Sequence, residues 1–273
     1  MLGAITERPL VRLTYLEMCN IVLDKSVFHK IAEDCPNLVE LKLRRLHIPT
    51  PIFGMDHVSA MPVSLASLRS LTLSFHLRKF LDLVDGNYVY VLARIEAPSL
   101  EYLDIDVDKL LVSLTRVLPP PSSIPALRTL CIRNTVSSLY FDTEYLEVLS
   151  YESSVEEIRL VNARPEALGL HSPASKGQWA HLKTLSMDSN DTVHLVWLCK
   201  ALMFRPEIRT VYLSRSALEE LRENLVMVDM LDNLFCVGIR DSCGVFDGWE
   251  FAEGGYQICA EKWLRSRVVL NLF

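Results

Sequence analysis

The sequence predicts an α/β solenoid, and three observations carry the prediction. First, a six-residue pattern, apolar-x-x-apolar-x-apolar, recurs nine times: from Leu13, Leu38, Leu68, Leu100, Leu127, Val155, Leu182, Ile208 and Leu234. Second, successive copies start 25 to 32 residues apart, a period near 27 whose phase chance would not hold along the chain. Third, helical patterns fill the intervals, so strand and helix alternate once per repeat. A unit of that size cannot bury its apolar face alone, and stacking on neighbours supplies the core. Strand–helix–parallel strand connections make the predicted hand right-handed.

The strand copies come in the order "LTYLEM", "LVELKL", "LRSLTL", "LEYLDI", "LRTLCI", "VEEIRL", "LKTLSM", "IRTVYL" and "LFCVGI". Four share an apolar residue, a basic residue and a hydroxyl: Leu68-Arg69-Ser70, Leu127-Arg128-Thr129, Leu182-Lys183-Thr184 and Ile208-Arg209-Thr210. An extra copy, "LEVLSY" from Leu146, falls out of phase and reads as a hairpin-like or collapsed repeat. Four helices are expected between strands. Asp24 caps one carrying Val27, Phe28, Ile31 and Ala32, closed by Pro36. Asp108 precedes Leu110, Leu111, Leu114, Val117 and Leu118, ended by Pro119, Pro120 and Pro121. Asp191 precedes Val193, Val196, Trp197, Lys200 and Ala201, ended near Pro206, and Ser216 precedes Leu218, Leu221, Leu225 and Val228. The whole chain, 1–273, reads as one domain, with 244–273 as a C-terminal capping segment and 164–179 as a mobile, polar surface loop.

Composition narrows the function. Half the residues are hydrophobic and 23% are charged, as in globular proteins. A formal charge of −6 without a dense basic cluster argues against nucleic acid as a partner. Charges interrupt every apolar run before membrane-spanning length, and no secretory signal opens the sequence. The seven cysteines are scattered without a CxxC pair, which favours reduced thiols in the cytoplasm or nucleus over disulfides or zinc. No catalytic or phosphate-binding motif is present, and the seven histidines fall singly. An enzyme is not expected, nor is a cofactor.

The stretch "SLEYLDIDVDKLL", residues 99–111, places Asp104, Asp106 and Asp108 two apart, like the first ligands of a calcium loop. That loop needs Gly at its sixth position and Glu at its twelfth, where this chain has Lys109 and Thr115. The alternation with Leu103, Ile105 and Val107 is that of a half-buried strand.

The repeats resemble leucine-rich repeats of the ribonuclease-inhibitor type, and more narrowly the divergent repeats of fungal and plant F-box proteins. "CPNLVELKL" (35–43), "APSLEYLDI" (97–105), "IPALRTLCI" (125–132 with its preceding residue) and the ending "CAEKWLRSRVVL" (259–270) carry the likeness. The resemblance implies a horseshoe of about nine irregular repeats. It also implies a protein-interaction module like the substrate-recognition domain of an F-box-type ubiquitin ligase receptor. Two departures stand beside it. The ninth repeat position, where many families place Asn or Cys, is Ile21, Leu46, His76, Asp108, Thr135, Ala163, Asn190, Ser216 and Ser242, so only Asn190 matches. No F-box is visible before Leu13, so a Skp-type adaptor is a partner only if an F-box lies upstream. The alternative is a stand-alone repeat scaffold, or a truncated receptor, with no ligase link.

Repeat positions 3, 5 and 7 point outward, because side chains alternate along a strand. This register places Lys42, Arg44, Tyr102, Asp104, Asp106, Arg133, Arg159 and Tyr212 on one concave face as candidate contacts for a protein target. In this reading the aspartates form a solvated acidic centre, flanked by Lys42 and Arg44 on one side and Arg133 and Arg159 on the other.

Overall fold

The computed structural model describes residues 10–21, 25–46, 62–75, 94–106, 118–133, 143–163, 168, 170, 178–188, 192–208, 210–214 and 236–239. All nine copies of the strand pattern form strands of a single parallel sheet, and the protein is α/β. In chain order they are β1 (Tyr15–Cys19), β2 (Glu40–Leu46), β4 (Ser70–Phe75), β6 (Tyr102–Asp106), β7 (Thr129–Arg133), β8 (Glu157–Val161), β9 (Thr184–Asp188), β10 (Thr210–Leu213) and β11 (Cys236–Ile239). Each pairs with the next, so sheet order follows chain order and the sheet is open. A short parallel pair, β3 (Val63–Ser64) with β5 (Ile95–Glu96), was not expected from the sequence.

The repeat register becomes the sheet register. Position 4 meets position 4 across seven strands: Leu41, Leu71, Leu103, Leu130, Ile158, Leu185 and Val211. Their side chains, with those at position 6, are at most 2% exposed and line the core. Burial of each such side chain contributes about 1.5–3 kcal/mol, which fixes the register because a one-residue slip would turn the whole row to solvent.

Two backbone devices repeat with the sequence. Just before a strand, the N–H of an apolar residue donates to the carbonyl three residues earlier. This occurs from Leu13 to Leu10, Leu38 to Cys35, Leu68 to Leu65, Leu100 to Ala97, Leu127 to Ile124, Leu182 to Trp179 and Ile208 to Arg205, at 2.9–3.1 Å. These are β-turns, and in four of them the second residue is Pro36, Pro98, Pro125 or Pro206, whose ring presets the φ that position needs. At the strand start, one carbonyl accepts two successive N–H groups of the next repeat. Arg69 accepts from Glu101 and Tyr102, Glu101 from Arg128 and Thr129, and Arg128 from Glu156 and Glu157. Each strand is thereby set at the same height as its predecessor.

Just past β1 and β8, and near the end of β2 but within it, Asn20, Asn162 and Arg45 adopt φ of 56°, 48° and 53°. All three occupy the eighth repeat position, so the asparagines suited to the left-handed region stand one residue before the position at which the sequence reading sought them. The Asn20 and Asn162 N–H groups donate to Arg44 and Asp188 carbonyls of the next strand. At Arg45 the pairing of β2 with β4 shifts between Leu43 and Leu46.

Helix α1 (Lys25–Asp34) buries Phe28 and Ile31 and packs Val27 and Ala32 against the core, as expected. Helix α2 (Thr143–Glu152) corrects the sequence reading: "LEVLSY" is helical, not a collapsed or hairpin-like repeat. Tyr145, Leu146 and Leu149 are buried on one face, and the Tyr145 hydroxyl donates to the Pro119 carbonyl at 2.8 Å. Helix α3 (Thr192–Phe204) buries Trp197 and Ala201 as expected, together with Leu195, Leu198, Cys199 and Leu202, but exposes Val196. The 164–179 segment is not simply a polar surface loop. Leu168, Leu170 and Trp179 are buried, the Trp179 indole N–H donates to the Leu168 carbonyl at 3.1 Å, and Trp179 is held at φ 51°. The helices expected over 110–118 (all but Leu118, which is buried at a bend) and 218–228, the capping aspartates Asp24, Asp108 and Asp191, and the segment 244–273 lie outside the described residues. Among the described residues no helix is long and apolar enough to cross a membrane.

Candidate functional site

Opposite the core, positions 3, 5 and 7 share one largely polar face, but position 5 is buried at Asp104, Cys131 and Ser186, where the alternation alone predicts exposure. On β1 and β2, Lys42 Nζ lies 2.9 Å from Glu40 Oε1 and 5.3 Å from the Tyr15 ring centre. Arg44 Nε lies 2.8 Å from Glu17 Oε1, and the Tyr15 hydroxyl also donates to Glu17, which lowers that carboxyl below its usual range. Tyr15 and Glu17 were missed as site residues, although they occupy positions 3 and 5 of the first repeat and were legible from the same register.

The middle of the face differs from the sequence reading. Asp104 was expected on a solvated face; it is 5% exposed. Its Oδ1 accepts from Arg133 Nε at 2.8 Å, its Oδ2 from Arg133 Nη2 at 2.9 Å, and the Tyr102 hydroxyl donates to Oδ2 at 3.3 Å. Arg133 stands directly across from Asp106 and reaches Asp104 on the diagonal, a reach that long side chains make across a sheet. Asp106 is half-buried at the end of β6.

Arg133 and Arg159 do not flank an acidic centre as free counter-charges. Arg133 neutralises Asp104, while Arg159 makes a two-toothed pair with Glu157 at 2.9 and 3.0 Å. The Arg159 guanidinium carbon also sits 5.6 Å from the Tyr102 ring centre, within cation–π range. Thus β6, β7 and β8 join through one network in which Asp104 is the most enclosed charge. The bond to Asp104 raises the Arg133 pKa, and burial, then the Cys131 and Asp104 charges, raise that of Tyr102, so the guanidinium stays charged and the phenol neutral. Tyr212 is half-buried on β10, between Ser186 and Gly238 in the register and separated from Tyr102 by three strands.

Cys131 lies across from Asp104 and is buried; burial first, then the Asp104 charge, pushes its thiol up to about 12. Burial likewise pushes Cys199 up to about 11. Thiolates are the reactive species, so native protein treated with iodoacetamide at neutral pH should label the exposed Cys19 before Cys35, Cys131 and Cys199. Peptide mapping by mass spectrometry reads this directly, and early labelling of Cys131 would contradict the burial. The folded pKa of Cys131 is raised, so its contribution to stability is full below the unfolded value near 9 and is lost as pH rises toward about 12.

Among the described residues no group of three His, Cys, Asp or Glu side chains is arranged to hold a metal ion. The arrangement can bind through aromatic and guanidinium contacts. No protein-family model matches the chain, and none of the curated proteins matches it.

Proposed function

We propose that the chain is a leucine-rich-repeat domain, a right-handed horseshoe of about nine strand–helix repeats, that binds a protein partner on its strand face. The observation that carries this reading is the run of nine parallel strands paired in chain order, one per repeat, with Tyr102, Arg133, Arg159 and Tyr212 held in order on one side. Aromatic residues and arginines anchor protein interfaces more often than other surface residues do. The likeness to F-box repeat proteins adds a role as the substrate-recognition part of a ubiquitin ligase receptor, acting in cytoplasm or nucleus without catalysing a reaction itself.

Affinity purification of partners with the unmodified chain, repeated with Tyr102→Ala and Arg159→Ala together, tests the face. Removing two interface anchors should weaken capture at least about tenfold, because each such anchor commonly contributes more than 1 kcal/mol. Undiminished capture by a variant with unchanged circular dichroism would place the binding surface elsewhere. The ligase role has its own test. Co-purification of a Skp-type adaptor with the complete gene product supports it, whereas partner binding without any adaptor favours the stand-alone scaffold.

A further inference from the structure

Asp104 is the one deeply buried carboxylate among the described residues of the strand face, and it grips two side chains that the proposed function uses for contact. We infer that Asp104 is a positioning residue of that face, and that the unit it holds receives an extended partner segment through uncharged carbonyl oxygens, main-chain or amide. The unit comprises Tyr102, Arg133, and Arg159 stacked on the phenol. The inference rests on the proposed binding face and adds the chemistry of what is bound.

The geometry argues for neutral acceptors. A guanidinium carries five N–H donors in a fixed plane. Arg133 commits its Nε and Nη2 edge to Asp104, its Nη1 has no partner among the described residues, and its side chain remains 28% exposed. Donors therefore remain, but the positive charge is already compensated 2.8 Å away by Asp104. Arg159 is compensated in the same way by Glu157 at 2.9 Å. A carboxylate or phosphate brought to this unit would meet Asp104 and Glu157 as like charges in a half-desolvated setting, which is unfavourable. A carbonyl oxygen accepts the same N–H groups without bringing charge. The Tyr102 hydroxyl gives its proton to Asp104 and offers only lone pairs, so an incoming amide N–H completes it. From β6 to β8 is about 10 Å, which about three residues of an extended segment span. Carbonyl and N–H groups of such a segment then fall alternately along the unit.

Asp104 enters through what it holds. Without it the phenol and the Arg133 fork lose their common anchor, and an uncompensated guanidinium faces the partner. The preference should then shift toward acidic ligands.

A random-peptide display library panned on the immobilised full chain supplies the probe, and fluorescence anisotropy of enriched peptides supplies affinities. Enriched peptides should be poor in Asp and Glu. Between about 50 mM and about 500 mM salt, their Kd should change less than about threefold, since few uncompensated charges meet. Asp104→Asn should weaken them about tenfold, and panning on that variant should enrich acidic peptides with a steeper salt dependence. Tyr102→Phe, which keeps the ring and loses one bond to Asp104, should weaken them about threefold and keeps the test open if Asp104→Asn fails to fold. Acidic peptides enriched on the unmodified chain would overturn the inference, as would a folded Asp104→Asn variant with unchanged ligands and salt slope. So would an equal loss for every peptide without any change in charge preference, since that marks a purely structural aspartate. Each of these leaves the binding face standing. Enriched peptides indifferent to the Tyr102→Ala and Arg159→Ala pair, or no enrichment over bare support, would instead overturn the binding face itself.

Discussion

Leu103→Ala, Leu130→Ala and Leu185→Ala should each lower the free energy of unfolding by about 2–5 kcal/mol, measured in urea or guanidinium melts. The three leucines are fully buried at the fourth position of their repeats, and each side chain is stacked between the corresponding residues of two neighbouring strands. Truncation removes transfer energy and leaves a cavity that a sheet with fixed register cannot close by sliding. The three costs should be similar, because the three environments are repeats of one another. A cost near zero at any of them would mean that the strand does not bury its position 4, and the register would have to be redrawn there.

Asp104→Ala should cost about 2–3 kcal/mol, well above an ordinary surface change. Two charge-assisted bonds and a phenol bond are lost, and Arg133 keeps a charge that it must turn to water or leave unmatched. The loss stays below that of a fully interior pair because the Arg133 side chain is 28% exposed and finds solvent. Asp106→Ala, half-buried at the strand end, should cost only about 0.2–1 kcal/mol, in the range of exposed ion pairs. A double-mutant cycle between Asp104 and Arg133 separates the pair from the packing around it. Zero coupling would mean that the aspartate matters for its volume alone.

The contrast between these two aspartates shows what a sequence makes legible. Alternation told on which side of the sheet Asp104 lies, and the structure agrees. It did not tell how deep, because depth depends on a diagonal neighbour one strand on. The clue was present: Arg133 holds the seventh position of the repeat after Asp104, and a diagonal pair is within reach of a long side chain. The strands were readable because nine copies repeat one pattern in one phase. The helix α2 was misread because apolar residues three apart suit a helical face as well as a strand motif, as Leu146 and Leu149 do. The copy stands too close to Val155 to leave room for a strand, a turn and a helix, and that spacing was the sign. In the 164–179 segment, polar residues drew attention from Trp179, which occupies the buried first position of the turn before β9.

The turns that precede the strands make the length of this protein an adjustable quantity. Deleting 98–124 would join Ala97 to Pro125 and rebuild the same four-residue turn, now Ala97-Pro125-Ala126-Leu127. The strand starting at Thr129 would then lie beside Ser70, with Leu130 meeting Leu71 and Arg133 meeting Ser74 in place of Asp106. Because each strand leans only on its two neighbours, the cost of such an excision would be confined to the new seam, and the strands on either side would keep their partners. The chain is divisible at its prolines: a shorter version should fold with the same sheet while losing Tyr102 and Asp104, which separates the frame from the side chains it carries.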